Sequence, residues 1–160
     1  MNLLQNADVA NKTVFLRVDY NVPIKNGQVA NNERILASKE TIDFLLSKNA
    51  KIVLATHLGR PEGRPNLLFS TRQIVREIEK VLGKKIDFFS DCIGLERDEK
   101  IAGMSAGSII LLENLRFHPE EEANNADFAT ELARGCDIFI NDAFSVSHRA
   151  HSSVVGITAK

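Results

Sequence analysis

Four short apolar runs constrain the chain most: TVFLRV at 13–18, KIVLA at 51–55, SIILL at 108–112 and DIFI at 137–140. Between them lie longer stretches whose apolar residues recur at helical spacing. A strand with one face in water alternates apolar and polar residues. A run that is apolar almost throughout needs cover on both faces, which is the signature of a parallel sheet between helical layers. Such strands, interleaved with helices, predict an α/β domain.

The helical stretches carry their own punctuation. Ile35, Ile42, Leu45 and Leu46 share one stripe of a helix predicted over 32–47, which Asn49 stops. Ser70 and Gln73 are spaced as a capping box for a second helix. Its face is Ile74, Ile78, Val81 and Leu82, and Gly83 is its terminator. A further strand is expected over 86–89 and a weaker helix over 95–102. Pro119 is placed to open a helix reaching to about Gly135, with Glu120, Glu121 and Glu122 as a solvated first turn. The apolar run 154–157 fits either a strand or a helix start. The predicted architecture is a three-layer sandwich with a largely parallel, Rossmann-like sheet. It forms one domain over 1–160, within the usual domain size of ~100–200 residues.

Composition excludes several functions. Lys plus Arg total 20 and Asp plus Glu total 21, a formal charge of −1. That argues against nucleic-acid coating and polybasic membrane binding, while leaving room for a local basic pocket. Apolar residues make up 44%, enough for a folded core. The amino terminus lacks the apolar stretch of a signal peptide, and no run approaches the ~18 apolar residues of a membrane span. Cys92 and Cys136 match no metal or redox spacing and read as reduced thiols of a cytoplasmic protein.

The polar residues that follow the apolar runs are the functional signal. Arg17, Asp19 and Asn21 follow or end the first strand. His57 and Arg60 follow the second, Arg116 follows the SIILL strand, and His148, Arg149 and His151 follow DIFI. In a parallel sheet these points share one edge, where ligands bind beyond the strands' carboxyl ends. Arg34, near the start of the first helix, falls on the same side. Converging guanidinium groups suit a phosphorylated or carboxylated small molecule. Each residue also has a plainer role. Arg17 could pair with a carboxylate, Asp19 and Asn21 could form a turn before Pro23, and Arg34 and Arg60 could be surface arginines. His57 and His118 could be packing residues. No cysteine or acidic set completes a zinc site around HRAH, so no metal is expected. There is no G-x-G-x-x-G, no G-x-x-x-x-G-K-[ST] and no G-x-S-x-G.

Four motifs in order, RVDYNVP (17–23), THLGRP (56–61), ENLRFHPEEE (113–122) and NDAFSVSHRAHSSVVG (141–156), resemble the amino-terminal domain of the phosphoglycerate kinase family. The resemblance covers nearly the whole chain. It implies a glycolytic enzyme, normally monomeric and of two domains, that moves phosphoryl reversibly between 1,3-bisphosphoglycerate and ADP to give 3-phosphoglycerate and ATP. It implies that Asp19 and Asn21 contact the glycerate backbone and hydroxyl. His57, Arg60, Arg116 and Arg149 would hold the non-transferred phosphate, and Arg34 would stabilise the transferring group as the catalytic residue. His148 and His151 would be flanking supports. Mg2+ and ADP or ATP would belong to a carboxyl-terminal nucleotide domain that these 160 residues lack, so this chain would bind no cofactor and would be inactive alone.

Several positions depart from the commoner family pattern. Ser145, Val146 and Ser147 stand where glycine, threonine and alanine are usual, and Lys39–Glu40 precedes Thr41 where a proline is common. Thr56 replaces serine and Tyr20 replaces phenylalanine. Ser145 matters most, because a glycine there would permit a positive φ that serine resists. Two other functions compete: a stand-alone phosphometabolite-binding module, and an interaction protein whose basic loops contact another macromolecule.

Overall fold

The computed structural model describes residue 4 and residues 7–159, without the side chain of Val146; Lys160 lies outside the described residues. The chain begins with β1 (Thr13–Val18), the hairpin strands β2 (Ile24–Lys25) and β3 (Gln28–Val29), α1 (Glu33–Ala37), α2 (Lys39–Ser47) and β4 (Lys51–Ala55). Two 3-10 turns, Leu67–Phe69 and Thr71–Ile74, lead into α3 (Val75–Leu82), β5 (Asp87–Phe89), α4 (Leu95–Ala102) and β6 (Ile109–Leu112). A 3-10 turn at Leu115–Phe117 precedes α5 (Pro119–Glu122), α6 (Ala126–Ala133) and β7 (Ile138–Asp142). Further 3-10 turns follow at Phe144–Val146 and Gly156–Ala159.

Five strands form one parallel sheet in the order β5-β6-β4-β1-β7. Successive side chains of a strand point to opposite faces, and in the inner strands β1, β4 and β6 both faces are buried. Val14, Leu16 and Val18 of β1 join Ile35, Ile42, Leu45 and Ile78 in one core, under α1, α2 and α3. Phe15 joins Val53, Ile101, Phe128 and Leu132 in the other, under α4 and α6. The three layers follow directly from the uninterrupted apolar runs. Truncating one of these large side chains to alanine costs about 2–5 kcal/mol, from lost transfer energy and the cavity left behind.

Two predicted helices are each broken in two, for local reasons. At Ser38 the hydroxyl donates back to the Ile35 carbonyl (3.0 Å) and accepts from the buried Tyr20 hydroxyl (2.6 Å). A serine bonding back within a helix bends it, and here it separates α1 from α2. The helix opened by Pro119 ends after one turn. Asn124 takes a left-handed φ of 50°, and the Asn125 side chain caps α6 by accepting from the amides of Asp127 and Phe128 (both 2.9 Å). The capping box is also only half formed. Ser70 accepts from the Arg72 amide, but Gln73 donates to the carbonyls of Leu67, Leu68 and Ser70 rather than closing the box. The 154–157 run forms turns leading into the last 3-10 segment, not a strand.

The topology fixes where a ligand can bind. The connections leaving β1 and β4 run through α1, α2 and α3 on one face, whereas the connection leaving β6 runs through α6 on the other, so the outgoing connections diverge between the adjacent strands β4 and β6. The crevice at such a switch point opens at the carboxyl ends of the strands. No helix among the described residues is long and apolar enough to cross a membrane.

Candidate functional site

At that edge the structure forms an open cleft of about 320 Å3, lined by Asn21, Arg34, His57, Gly59, Arg60, Arg116, Ser145 and Arg149. Four of these are arginines and none is a carboxylate. The loops are held in place chiefly by hydrogen bonds between main chain and side chain. Gly59 is the hub: its amide donates to Asn21 Oδ1 (2.8 Å) and its carbonyl accepts from Arg116 Nη1 (3.2 Å). Its φ is +62°, and a Cβ there would lie 2.4 Å from the Phe69 ring, so only glycine fits. Asn114 locks the adjoining turn by accepting from the Arg116 amide (3.0 Å) and donating to the carbonyls of Leu58 (2.7 Å) and Phe69 (2.8 Å).

The arginines differ in how far they are already engaged. Arg116 is buried, its ordinary pKa is lowered chiefly by burial, and its Nε is a buried donor without a hydrogen-bond partner among the described residues. Glu122 Oε1 stands 3.6 Å away. Arg34, carried by α1, bonds both oxygens of Asp19 through Nη1 (2.9 and 2.7 Å). Arg60 and Arg149 are exposed and make no side-chain hydrogen bond or ion pair among the described residues.

His57 is almost fully buried, and Arg17 Nη2 lies 3.1 Å from its Nδ1. Burial first, then the charges of Arg17, Arg116, His151 and Arg149, push its pKa down to about 2. The ring is therefore neutral at physiological pH.

The remaining predicted residues are placed as follows. Asp19 stands beside the cleft rather than on its lining, bonded to Arg34 and accepting from the Ser145 hydroxyl. Arg17 is not on the cleft either. It is fully buried, and no carboxylate pairs with it directly among the described residues; Ser153 accepts from its Nε (2.9 Å). His148 is on an exposed turn away from the lining, whereas His151 is buried behind it with Nδ1 4.0 Å from Glu121. Ser145 does not take a positive φ, so serine is accommodated without backbone strain.

Three features escape the sequence reading. Glu121 is not part of a solvated turn: it is fully buried, accepting from the Ser153 amide (2.9 Å) and hydroxyl (2.5 Å). Its neighbours Glu120 and Glu122 carry the ordinary first-turn charge; one turn of helix thus holds both a surface and a core glutamate. The Ser145 hydroxyl contributes to the lining. A second cleft, of about 280 Å3, adjoins Asp91, Cys92, Glu113 and His118. The potential ligand atoms of Asp91, Cys92 and His118 lie within 4.8 Å of one another, but each is engaged already. His118 bonds Asp91 (2.7 Å) and packs on Phe128, and the Cys92 thiol donates to the Glu113 carbonyl (2.9 Å).

Comparison with known proteins gives this geometry a lineage. The family model described as phosphoglycerate kinase matches residues 4–160. Phosphoglycerate kinase of Elusimicrobium minutum is 50% identical over 155 residues, and that of Wolbachia pipientis 48%; each alignment covers 97% of this chain. The solved phosphoglycerate kinase from Pyrococcus horikoshii is 34% identical with a TM-score of 0.89 over 98% of this chain and 40% of its own. The structure from Coxiella burnetii is 37% identical with a TM-score of 0.86, covering 97% of this chain and 38% of its own. The chain spans about 39% of the length of the curated relatives it matches. With the family pattern matched from residue 4 onward and a shared backbone at this level of identity, the chain belongs to the phosphoglycerate kinase family.

Proposed function

We propose that this chain supplies the phosphoglycerate-binding half of a phosphoglycerate kinase, which transfers phosphoryl reversibly between 1,3-bisphosphoglycerate and ADP in cytoplasmic glycolysis. One observation carries the reading: four guanidinium groups and a neutral histidine converge on one cleft whose lining holds no carboxylate. Such a surface is complementary to a small polyanion. Arg60, Arg116, Arg149 and His57 hold the non-transferred phosphate. Asn21, whose Oδ1 is engaged by Gly59, offers its amide NH2 to the glycerate, and Asp19 accepts from the hydroxyl. Arg34 is the catalytic contact, neutralising charge at the acyl-phosphate end. No covalent enzyme intermediate is required; alignment and charge neutralisation are the contribution of these residues.

The same lining does not suit Mg2+, which takes oxygen ligands, often carboxylates. Because the chain spans about 39% of its relatives' length, the metal and nucleotide are assigned to the remainder of the full-length protein, and this chain alone is read as inactive and monomeric. The test is an amide chemical-shift titration with 3-phosphoglycerate, using ADP and inorganic phosphate as controls. Saturable shifts at Asn21, Arg34, His57, Arg60, Arg116 and Arg149, with little response to ADP, are expected. A folded chain with no such shifts, or with equal response to ADP, overturns the reading. Formation of ATP by the purified 160 residues from 1,3-bisphosphoglycerate and ADP overturns the inactivity.

A further inference from the structure

We propose that Arg17 is a positioning residue that fixes His57 in the tautomer carrying its proton on Nε2, and that Ser153 and Glu121 in turn hold Arg17. Arg17 is fully buried and lies outside the cleft lining. Its three hydrogen bonds are Nε to Ser153 Oγ (2.9 Å), Nη1 to the Val18 carbonyl (2.5 Å) and Nη2 to His57 Nδ1 (3.1 Å).

Donor and acceptor chemistry fixes the direction of every link. Guanidinium has no acceptor, so His57 Nδ1 must accept and the ring proton resides on Nε2. Arg17 can only donate, so the Ser153 oxygen accepts from it and the Ser153 hydroxyl gives its single proton to Glu121 (2.5 Å). The Ser153 amide binds the other Glu121 oxygen (2.9 Å). A one-way chain results, from the buried Glu121 carboxyl group through Ser153 and Arg17 to an imidazole whose remaining N–H is a donor. The opposite tautomer would set an N–H against the Arg17 Nη2 donor. A neutral histidine that could present either nitrogen is thereby delivered as a donor, the form an anionic oxygen requires.

The consequence for substrate rests on the phosphoglycerate reading, but the tautomer does not, and the two fail separately. The experiment is a long-range 1H–15N spectrum of the 160-residue chain with labelled histidine at neutral pH, followed by titration with 3-phosphoglycerate. His57 is expected as the Nε2–H form alone. Arg17→Gln, whose amide can also accept, is expected to introduce the Nδ1–H form and weaken 3-phosphoglycerate about ten-fold. Arg17→Lys, a pure donor, is expected to keep the Nε2–H form and recover most of that affinity. If Arg17→Gln fails to fold, Ser153→Ala loosens Arg17 instead and is expected to admit the same second tautomer. An Nδ1–H or doubly protonated His57 in the wild type, or a tautomer unmoved in the folded variant, overturns the proposal. An Nε2–H ring that answers to these variants, in a wild-type chain that ignores 3-phosphoglycerate, overturns the substrate reading and leaves the positioning role standing.

Discussion

Two clefts among the described residues are of nearly equal size, about 320 and about 280 Å3, and of opposite electrostatic character. In the smaller, hydrogen-bonding groups answer one another. Glu113 alone accepts from Ser70, from the Thr71 amide and hydroxyl, and from the Asn114 amide. In the larger, Arg60 and Arg149 have no partner among the described residues, and a buried nitrogen of Arg116 makes no hydrogen bond. Volume does not tell them apart. Donors of one sign without partners among the described residues set the larger cleft apart, and under the proposed function it is the one that receives an anion.

Gly59→Ala is the strongest way to break this contrast. A Cβ 2.4 Å from the Phe69 ring at a left-handed φ should cost about 2–4 kcal/mol in a urea unfolding curve and displace both Asn21 and Arg116. An unchanged midpoint would mean that Gly59 does not organise the cleft. Next in size, Arg60→Ala or Arg149→Ala should weaken 3-phosphoglycerate by about ten-fold or more while moving stability by less than about 0.5 kcal/mol. His118→Ala, in the smaller cleft, should leave that affinity alone; equal losses from both clefts would erase the distinction.

Acidification should separate the two in a different way. His57 has a depressed pKa in the folded chain, so below its ordinary 6.5 the unfolded chain takes up a proton that the folded one refuses. Stability present above pH 6.5 is then lost as pH falls toward 2, with a slope of about 1.4 kcal/mol per pH unit per proton once the unfolded ring is charged. His57→Gln should flatten the curve between pH 6 and pH 5. Asp91 in the smaller cleft is held below its ordinary 3.8, chiefly by its bond to His118, so its contribution is present above that value and lost only in stronger acid. The smallest effect expected is that of Asp91→Asn at neutral pH. Its bond to His118 is partly exposed, and such pairs contribute about 0–1 kcal/mol to unfolding free energy.

The fold was largely legible because its strands are covered on both faces, which leaves an unmistakable apolar run in the sequence. The helix breaks were less so. Nothing local says that Ser38 will bond the Tyr20 hydroxyl, since that contact exists only after the first strand's loop meets the first helix. The Asn124–Asn125 pair did carry a turn and cap signal, but the glutamates and Pro119 before it favoured a single helix. At the site, the sheet-edge rule assembles Asn21, Arg34, His57, Arg60, Arg116 and Arg149 from residues far apart in sequence. It does not say which cations face the opening. Arg17 and Glu121 turn inward because partners 136 and 32 residues away complete them, and long-range pairing of that kind leaves no spacing to read.

Asp19 has a consequence for how an anion is received. Its carboxylate clasps Arg34 and also accepts from Ser145, so it joins three segments that come from different parts of the chain. Arg34 enters any encounter already neutralised. An incoming carboxylate or phosphate meets it as a competitor for an existing ligand, and binding there is an exchange of one oxyanion for another. Exchange changes the net charge of the pair little and is weakly sensitive to ionic strength, whereas capture by Arg60 and Arg149 is direct neutralisation and should be screened by salt. Under the proposed function, one cleft thus combines two kinds of cation: some that would attract from a distance, and one that would sort what has arrived.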